Sequence, residues 1–120
     1  MTITLYGIPN CDTVKKARSW LLENGVGFTF HDFKKEGLAR VTAAAWLDQR
    51  DWTVLVNRKG TTWRTLTAQQ QAEVVDRDSA LALMLAQTAV IKRPVLAGAG
   101  ALQVGFTPAL YAEVFAGASA

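Results

Sequence analysis

The sequence predicts an α/β fold in which one small mixed sheet carries helices on its faces. Residues 2–33 give a strand, a helix and a second strand, and residues 90–115 give two short apolar segments and a closing helix. Strands joined by a crossover of helix length pair in parallel, whereas a short turn joins antiparallel strands. The order βαβ, helical middle, ββα therefore predicts one sheet with strands of both directions.

The N-terminal elements are marked by a change in apolar spacing. Polar and apolar residues alternate over 2–6, which is typical of a strand. Gly7 and Pro9 interrupt it, and Asn10 or Cys11 then caps a helix that ends at Asn24-Gly25. Aromatic residues over 27–33 predict the second strand. The predicted buried face of the helix consists of Val14, Ala17, Leu21 and Leu22.

A helical insertion is predicted at approximately residues 38–88. Its first helix covers 38–49, with Leu38, Val41 and Ala45 on one face. Val54-Leu55-Val56 fits either a strand or a short helix. Thr67 and Gln70 have the spacing of a capping box, and Asp78-Ser79 is the predicted cap of an apolar helix over 80–87.

The C-terminal segment predicts an antiparallel hairpin and a last helix. Apolar pairs at 90–91 and 95–96 flank Arg93-Pro94, and a glycine-rich turn over 98–100 leads into residues 102–104. Thr107-Pro108 is typical of a helix start, with Thr107 as the cap and Pro108 in the first turn. This helix is predicted to run to about Phe115.

Composition limits the class of protein. The 120 residues suffice for a single domain, half of them are hydrophobic, and no apolar run approaches the length of a membrane span. The net charge of +3 is a mild excess that favours solubility over nucleic-acid binding. One cysteine cannot form an internal disulfide, and the N-terminus lacks signal-peptide features. We expect a cytoplasmic monomer without a metal site or bound cofactor.

Cys11 is the leading candidate for chemistry. A thiol at a helix N-terminus faces unpaired backbone N–H groups and the positive end of the helix dipole, which favour the thiolate. Lys15, Lys16 and Arg18 add positive charge just after it. The alternative is a small buried apolar residue, as lone cysteines often are. Val14 stands where a Cys-x-x-Cys motif needs its second thiol, so a thiol from another molecule would have to resolve any disulfide.

Other candidates are weaker when taken alone. Arg93-Pro94 belongs at the start or edge of a strand, from which Arg93 could reach Cys11 across the end of the sheet. Arg58 lies in an exposed-looking loop. His31, the single histidine, has no partner for triad chemistry and is interpreted as a structural or surface residue. The four tryptophans are interpreted as packing residues.

Three segments together resemble the arsenate-reductase-like (ArsC) family. They are residues 6–17 (YGIPNCDTVKKA), 57–62 (NRKGTT) and 92–94 (KRP). The chain most resembles the YffB-type branch, which is related to the Spx-type transcription regulators. The resemblance covers nearly the whole chain and implies a thioredoxin-like fold with an inserted helical segment.

The resemblance also implies a mechanism. In glutathione-coupled arsenate reductases a cysteine thiolate attacks the oxyanion, arginines hold its oxygens, and glutathione then joins the bound arsenic. Cys11 matches the nucleophile, and Arg58 and Arg93 match two of the arginines. Planar guanidinium groups suit such oxyanions. Asn10, Lys15 and Pro94 belong to the same motifs and are predicted to bind substrate.

One departure from the family pattern bears on the substrate. The third arginine should fall near residues 106–108, where the sequence is Phe-Thr-Pro. Losing one charge-assisted partner of an oxyanion costs on the order of 1.5–3 kcal/mol. The predicted function is therefore a glutathione-dependent thiol reductase or an arsenate-reductase-like oxidoreductase. Its partners would be glutathione or a glutaredoxin-like protein, and a small oxyanion or thiol substrate.

The alternative is an Spx-like regulator that binds RNA polymerase without enzymatic activity. Those regulators use a Cys-x-x-Cys switch, and Val14 removes it here. A family member that has lost its catalytic activity is the third interpretation.

Overall fold

The computed structural model describes residues 2–116, and these form two compact units. The first unit combines the chain up to Glu36 with the segment from Arg93 onwards, and the second is Gly37–Lys92. The prediction that the chain is a single domain stays a prediction. In chain order the elements are β1 (Thr4–Gly7), α1 (Asp12–Glu23), β2 (Thr29–Asp32), α2 (Phe33–Glu36), α3 (Arg40–Gln49), α4 (Trp52–Leu55), α5 (Thr61–Thr65), α6 (Ala68–Ala72), α7 (Arg77–Ala86), β3 (Val95–Ala97), β4 (Gln103–Val104) and α8 (Pro108–Ala116), with a 3₁₀ turn at Thr88–Val90.

The first unit contains a four-stranded mixed sheet in the order β2-β1-β3-β4. β1 pairs in parallel with β2, and Leu5 lies opposite Phe30. β1 pairs antiparallel with β3, and Tyr6 lies opposite Val95. β3 and β4 form the predicted antiparallel hairpin. The α/β class and the mixed sheet are confirmed.

The core of the first unit lies between the sheet and the helices α1 and α8. Five of its residues are fully buried: Leu5, Ala17, Leu21, Leu96 and Tyr111. On α1 the buried residues are Val14, Ala17 and Leu21, as predicted. Leu22 is 70% exposed, so its predicted place on the buried face is wrong. One residue turns a helix by about 100°, which carries Leu22 away from the face that Leu21 buries.

The second strand is shorter than predicted. It begins at Thr29 and ends at Asp32, and Phe33 already belongs to the short helix α2. The Asp32 carboxylate accepts a hydrogen bond from the Lys34 backbone N–H at 2.8 Å. This side chain-to-backbone bond turns the chain out of the extended conformation.

The second unit is built around the packing of α3 against α7. The predicted buried face of the first helix is wrong, because Val41 is 77% exposed and Ala45 is also exposed. The residues that α3 buries are instead Ala43, Trp46 and Leu47. Trp46 has far more apolar area than Val41, so burying the face of α3 that contains Trp46 stabilises the fold more.

The sequence allowed either a strand or a short helix at residues 54–56, and the structure contains a part of each. Val54 and Leu55 complete α4, and Val56 forms an isolated antiparallel bridge with Ile91. The Asn57 N–H donates to the Val90 carbonyl and the Lys92 N–H donates to the Leu55 carbonyl, both at 2.7 Å. These bonds bring Lys92 beside the segment that contains Arg58.

The helix caps follow the predicted chemistry, with one error. The capping box of Thr67 and Gln70 is present at α6. The predicted cap of α7 at Asp78-Ser79 is wrong, because α7 begins at Arg77 and Asp76 caps it. The Asp76 carboxylate accepts the Ser79 N–H at 2.9 Å, and the Ser79 hydroxyl accepts the Asp76 N–H at 3.1 Å. Ser79 is thus the third residue of the helix in a reciprocal capping box.

The last helix begins and ends close to the predicted residues. The Leu110 N–H donates to the Thr107 hydroxyl at 3.0 Å, and Pro108 is the first residue of α8. Over residues 2–116, no helix is long and apolar enough to cross a bilayer.

Candidate active site around Cys11

Cys11 is the N-cap residue of α1. Its backbone is extended (φ −124°, ψ 122°), and its carbonyl accepts the Lys15 N–H at 2.9 Å. Its side chain makes no capping hydrogen bond and is partly exposed. The thiol therefore lies beside the unpaired N–H groups that open every helix, at the positive end of the α1 dipole. This is the position that the sequence predicted.

The close packing of β1 against α1 holds this turn in place. A Cβ atom built on Gly7 would lie 2.8 Å from Cγ2 of Val14, inside van der Waals contact. Val14 is fully buried in the first turn of α1. Only glycine at the end of β1 lets the helix start this near the strand. The three residues Ile8, Pro9 and Asn10 then connect the strand to Cys11, and Asn10 is exposed.

Arg93 and Pro94 lie at the same end of the sheet as this turn. Tyr6 pairs with Val95, so the antiparallel register continues Gly7 towards Pro94 and the connecting residues towards Arg93. The Arg93–Pro94 peptide bond is cis, Pro94 is buried, and its carbonyl accepts the Gly105 N–H at 2.8 Å. The start of β3 is thereby fixed on both sides, by β1 and by the chain after β4.

The three cations that follow Cys11 on α1 point in different directions. The Arg18 guanidinium lies over the Phe30 ring of β2, 4.2 Å from its centroid. Lys15 and Lys16 are exposed and line a pocket of about 460 Å³ together with Trp20. Arg18 thus makes a cation–π contact, whereas Lys15 and Lys16 are the exposed cations of this part of α1.

Arg58 belongs to the second unit, where it is exposed in the segment after α4. Its guanidinium lies 5.5 Å from the centroid of the Trp52 ring. With Lys59 and Lys92 it lines a cavity of about 300 Å³, to which Asn57 also contributes. Three cations around one cavity make it attractive to an anion.

Asp51 adjoins this cationic cavity. Hydrogen bonds from the Thr53 N–H and hydroxyl, followed by the charge of Arg58, hold the pKa of the Asp51 carboxyl below its usual value. The carboxylate caps α4 through the Thr53 N–H at 2.9 Å. The Asp51 carboxylate thus lies near the positive charge of Arg58, and it already accepts the hydrogen bonds that cap α4.

His31 has the structural surroundings that the sequence suggested. Its ring centroid lies 4.8 Å from that of Tyr6, and its Nδ1 is 3.9 Å from the Glu36 carboxylate. Burial raises the pKa of the neighbouring Tyr6 hydroxyl.

In the described part of the chain, no three His, Cys, Asp or Glu side chains cluster as metal ligands do.

The structure brings some predicted site residues together within one unit. Cys11, Asn10, Lys15, Arg93 and Pro94 all belong to the first unit, at the end of the sheet where β1 ends and at the start of α1. Arg58 belongs to the other unit, and its pairing with Cys11 stays a prediction, as do the roles of all six residues.

Sequence reasoning missed two groups. Lys92 joins Arg58 through the bridge between Val56 and Ile91, and a separation of 34 positions gives no local signal for it. Trp20 and Phe106 form a pocket with α1, although the sequence suggested only packing roles for tryptophan. The placement of Trp20 about two and a half turns beyond Cys11, on the helix that Cys11 caps, was the one available signal.

Comparisons with known proteins show which family the chain belongs to. The model of the ArsC family matches residues 6–114. An uncharacterised protein of Haemophilus influenzae is 39% identical over 114 residues, which are 95% of this chain and 99% of that protein. YusI, an uncharacterised protein of Bacillus subtilis, is 27% identical and covers 97% of this chain.

The fold of this chain is also similar to those of solved structures. A YffB protein superimposes with a TM-score of 0.88 at 46% identity, covering 94% of this chain and 98% of its own. An arsenate reductase (ArsC) related protein from Brucella melitensis is 51% identical with a TM-score of 0.75, covering 96% and 95%. The predicted resemblance and the thioredoxin-like fold are confirmed. With the family model spanning nearly all of the described residues, this chain belongs to the ArsC family and is an arsenate-reductase-like protein.

Proposed function

We propose that this protein is a cytoplasmic, thiol-dependent oxidoreductase that uses Cys11 as its nucleophile and glutathione as its co-substrate. The observation that carries the proposal is the Cys11 side chain itself. It is partly exposed at the N-terminus of α1 and is not used as a helix cap, so it is available to react. A buried structural cysteine would not be exposed in this way.

The reaction is a series of three thiol–disulfide exchanges. The Cys11 thiolate attacks one sulfur of a disulfide substrate, forms a mixed disulfide, and releases the other half as a thiolate. A glutathione thiolate then attacks the Cys11 sulfur of the mixed disulfide and releases the second half of the substrate as a thiolate. A second glutathione thiolate attacks the glutathione sulfur of the resulting Cys11–glutathione disulfide, so that oxidised glutathione forms and Cys11 leaves as the thiolate. Two electrons pass from two glutathione molecules to the substrate. No second cysteine of this chain is required, which fits its single thiol.

The remaining predicted residues would bind the substrate, and the two arginines would bind its anionic groups. Arg93, at the start of β3, and Arg58, beside the cationic cavity, would bind the carboxylates of glutathione or an oxyanion by paired N–H donors. Lys15 and Asn10, on either side of Cys11 in sequence, and Pro94 would contact the substrate. We propose that the protein acts as a monomer.

Arsenate is a weaker substrate than a disulfide in this proposal. The segment in which the family pattern has a third arginine is structural here, because Thr107 caps α8 and Phe106 packs edge-on against Tyr111 at 4.6 Å. One oxyanion oxygen would lack its charged partner. We expect turnover of a glutathione mixed disulfide to exceed arsenate reduction in kcat/KM by on the order of tenfold or more.

Mass spectrometry after incubation with oxidised glutathione tests the proposal. We expect one glutathione adduct, located on Cys11, that reduced glutathione removes, and no adduct on Cys11→Ser. A wild-type protein that forms no adduct and alkylates no faster than a free thiol at pH 6 would contradict it. Capture of RNA polymerase subunits by such an inert protein would instead favour the Spx-like regulator. The fully buried Val14 at the position of the second switch cysteine argues against that function.

A further inference from the structure

Besides the cationic cavity of the second unit, the structure has a pocket on α1, beyond the turn that contains Cys11. It has a volume of about 460 Å³ and is formed by one face of α1 and the segment between β4 and α8. The residues used below are Lys15, Lys16, Ser19, Trp20, Glu23 and Phe106. Cys11 does not line it. We call it the Trp20 pocket.

The walls of the Trp20 pocket are aromatic and fixed. The Trp20 ring stacks on Phe115, with centroids 5.7 Å apart and planes at 27°. It also meets Tyr111 edge-on at 5.7 Å, and Phe106 meets Tyr111 edge-on at 4.6 Å. Tyr111 is fully buried, so it anchors both rings from below. Trp20 and Phe106 are themselves only half-buried, and each keeps a ring surface open to the pocket.

The charges of the pocket are separated along the helix. Lys15 and Lys16 lie near the N-terminus of α1 and Glu23 is its last residue. Seven residues of helix place Lys16 and Glu23 about 10 Å apart along the axis. Within residues 2–116, none of these three side chains forms an ion pair. The pocket thus has a positive end, an aromatic middle and a negative end.

We propose that the Trp20 pocket binds a small organic anion with an aromatic ring. Its carboxylate or phosphate would pair with Lys15 and Lys16, and its ring would lie against Trp20 and Phe106. Glu23 would repel a second negative group at the far end, which selects ligands whose acidic group is at one end only. The volume is within the range of small-molecule sites, which are mostly apolar with a few placed polar groups. This inference does not depend on the chemistry of Cys11.

An NMR titration with three indole compounds tests the ligand class. Indole-3-acetate carries the negative charge, tryptophol is its neutral analogue, and tryptamine carries a positive charge. We expect indole-3-acetate to shift the Trp20 indole N–H signal with a Kd on the order of 1 mM. Tryptophol should bind about fivefold more weakly or worse, and tryptamine more weakly again. The indole signal of Trp63, in the second unit, serves as the internal control, because Trp63 does not line the cationic cavity.

Charge variants test the positive end. Lys15→Gln/Lys16→Gln should weaken indole-3-acetate binding about fivefold or more and leave tryptophol binding unchanged. Lys34→Gln/Lys35→Gln removes two exposed charges from α2, outside the pocket, and should change neither ligand. Equal affinities for the three compounds, or a lysine effect that is the same for tryptophol, would overturn the proposal.

A filling variant tests the location without touching the core. Ser19 is exposed, and Ser19→Phe would place a ring in the pocket, whereas Ser19→Ala leaves it open. We expect Ser19→Phe to abolish the Trp20 shift and Ser19→Ala to retain it, with unchanged amide spectra elsewhere. Wild-type-like binding by Ser19→Phe would show that indole-3-acetate binds somewhere else, and would end the proposal.

Discussion

Gly7 and Val14 approach so closely that the strand before Cys11 and the helix after it are locked together. A Cβ atom on Gly7 would lie 2.8 Å and 3.2 Å from the two Val14 methyl carbons. Val14 is fully buried, and Leu5, which is also fully buried, lies on the same face of β1 as Gly7. The position of the Cys11 turn is therefore set by a backbone contact, at a residue that carries no side chain.

Gly7→Ala should destabilise the protein and change the reactivity of Cys11 together. Overpacking of this kind typically costs roughly 1–3 kcal/mol of unfolding free energy. The added methyl group would push α1 from β1, which shifts its N-terminal N–H groups relative to the sulfur. Urea unfolding measures the first effect, and the alkylation rate of Cys11 measures the second.

Gly27→Ala is the matched control for this substitution. A Cβ atom at Gly27 meets nothing within 4 Å, and this residue is exposed before β2. Its unfolding free energy should change by less than about 0.5 kcal/mol, and its alkylation rate should equal that of the wild type. If both alanine variants behave alike, the contact between Gly7 and Val14 does not hold the turn.

Much of the first unit could be predicted because its signals are local. Alternation gives β1, and Thr107-Pro108 marks the start of α8 by capping chemistry that needs no distant partner. Cys11 could be placed at a helix N-terminus for the same reason. Leu22 shows the limit, since apolar character alone does not say which adjacent residue faces the core.

The helical insertion was harder to predict because its burial depends on tertiary partners. Val41 and Trp46 lie on different faces of α3, and packing against α7 decides which face is buried. Lys92 lies beside the Arg58 segment only because Val56 pairs with Ile91. No spacing rule in a single sequence reports such a bridge, so the cationic cavity was found only in three dimensions.

Thr107→Ala should destabilise α8 by removing its cap. The Thr107 hydroxyl accepts the Leu110 N–H, and loss of such a bond costs about 1 kcal/mol of unfolding free energy. Thr107→Ser keeps the hydroxyl and should retain most of that stability. Urea unfolding of the three proteins gives the order. A serine variant as unstable as the alanine variant would assign the role of Thr107 to its methyl group instead.

Titration of Asp76 should lower the stability of the second unit as the pH falls into the acid range. Hydrogen bonds from the backbone N–H and the hydroxyl of Ser79 hold the pKa of the Asp76 carboxyl below its usual value. Because the folded pKa is the lower one, this stabilisation is present above the unfolded value of about 3.9. It is lost as the pH falls from there through the folded pKa.

Asp76→Asn isolates that titration, because an amide oxygen still caps the helix but does not ionise. The wild type should exceed this variant in urea midpoint at pH 7, and the difference should shrink as the pH approaches 3. Asp51→Asn should follow the same trend, since Thr53 lowers the pKa of Asp51 in the same way. A difference that stays constant from pH 7 to pH 3 would mean that the charge of Asp76 is irrelevant to stability.

Arg93→Ala should slow the formation of the mixed disulfide more than it affects folding. The guanidinium is proposed to bind an anionic group of glutathione at the end of the sheet where Cys11 lies. Losing a charge-assisted hydrogen bond corresponds to about a tenfold or larger loss in the rate constant for mixed-disulfide formation with oxidised glutathione. Arg93→Lys keeps the charge without the planar pair of donors, so its rate should fall between those of the wild type and Arg93→Ala.

Arg40→Ala is the control for a change in overall charge. Arg40 is the exposed first residue of α3, and its removal lowers the net charge by the same amount. The rate of this variant should match that of the wild type, and higher salt should narrow the gap between Arg93→Ala and the wild type. Equal rates for Arg93→Ala and Arg40→Ala would remove Arg93 from the site, whereas Cys11 would still be tested by its own adduct.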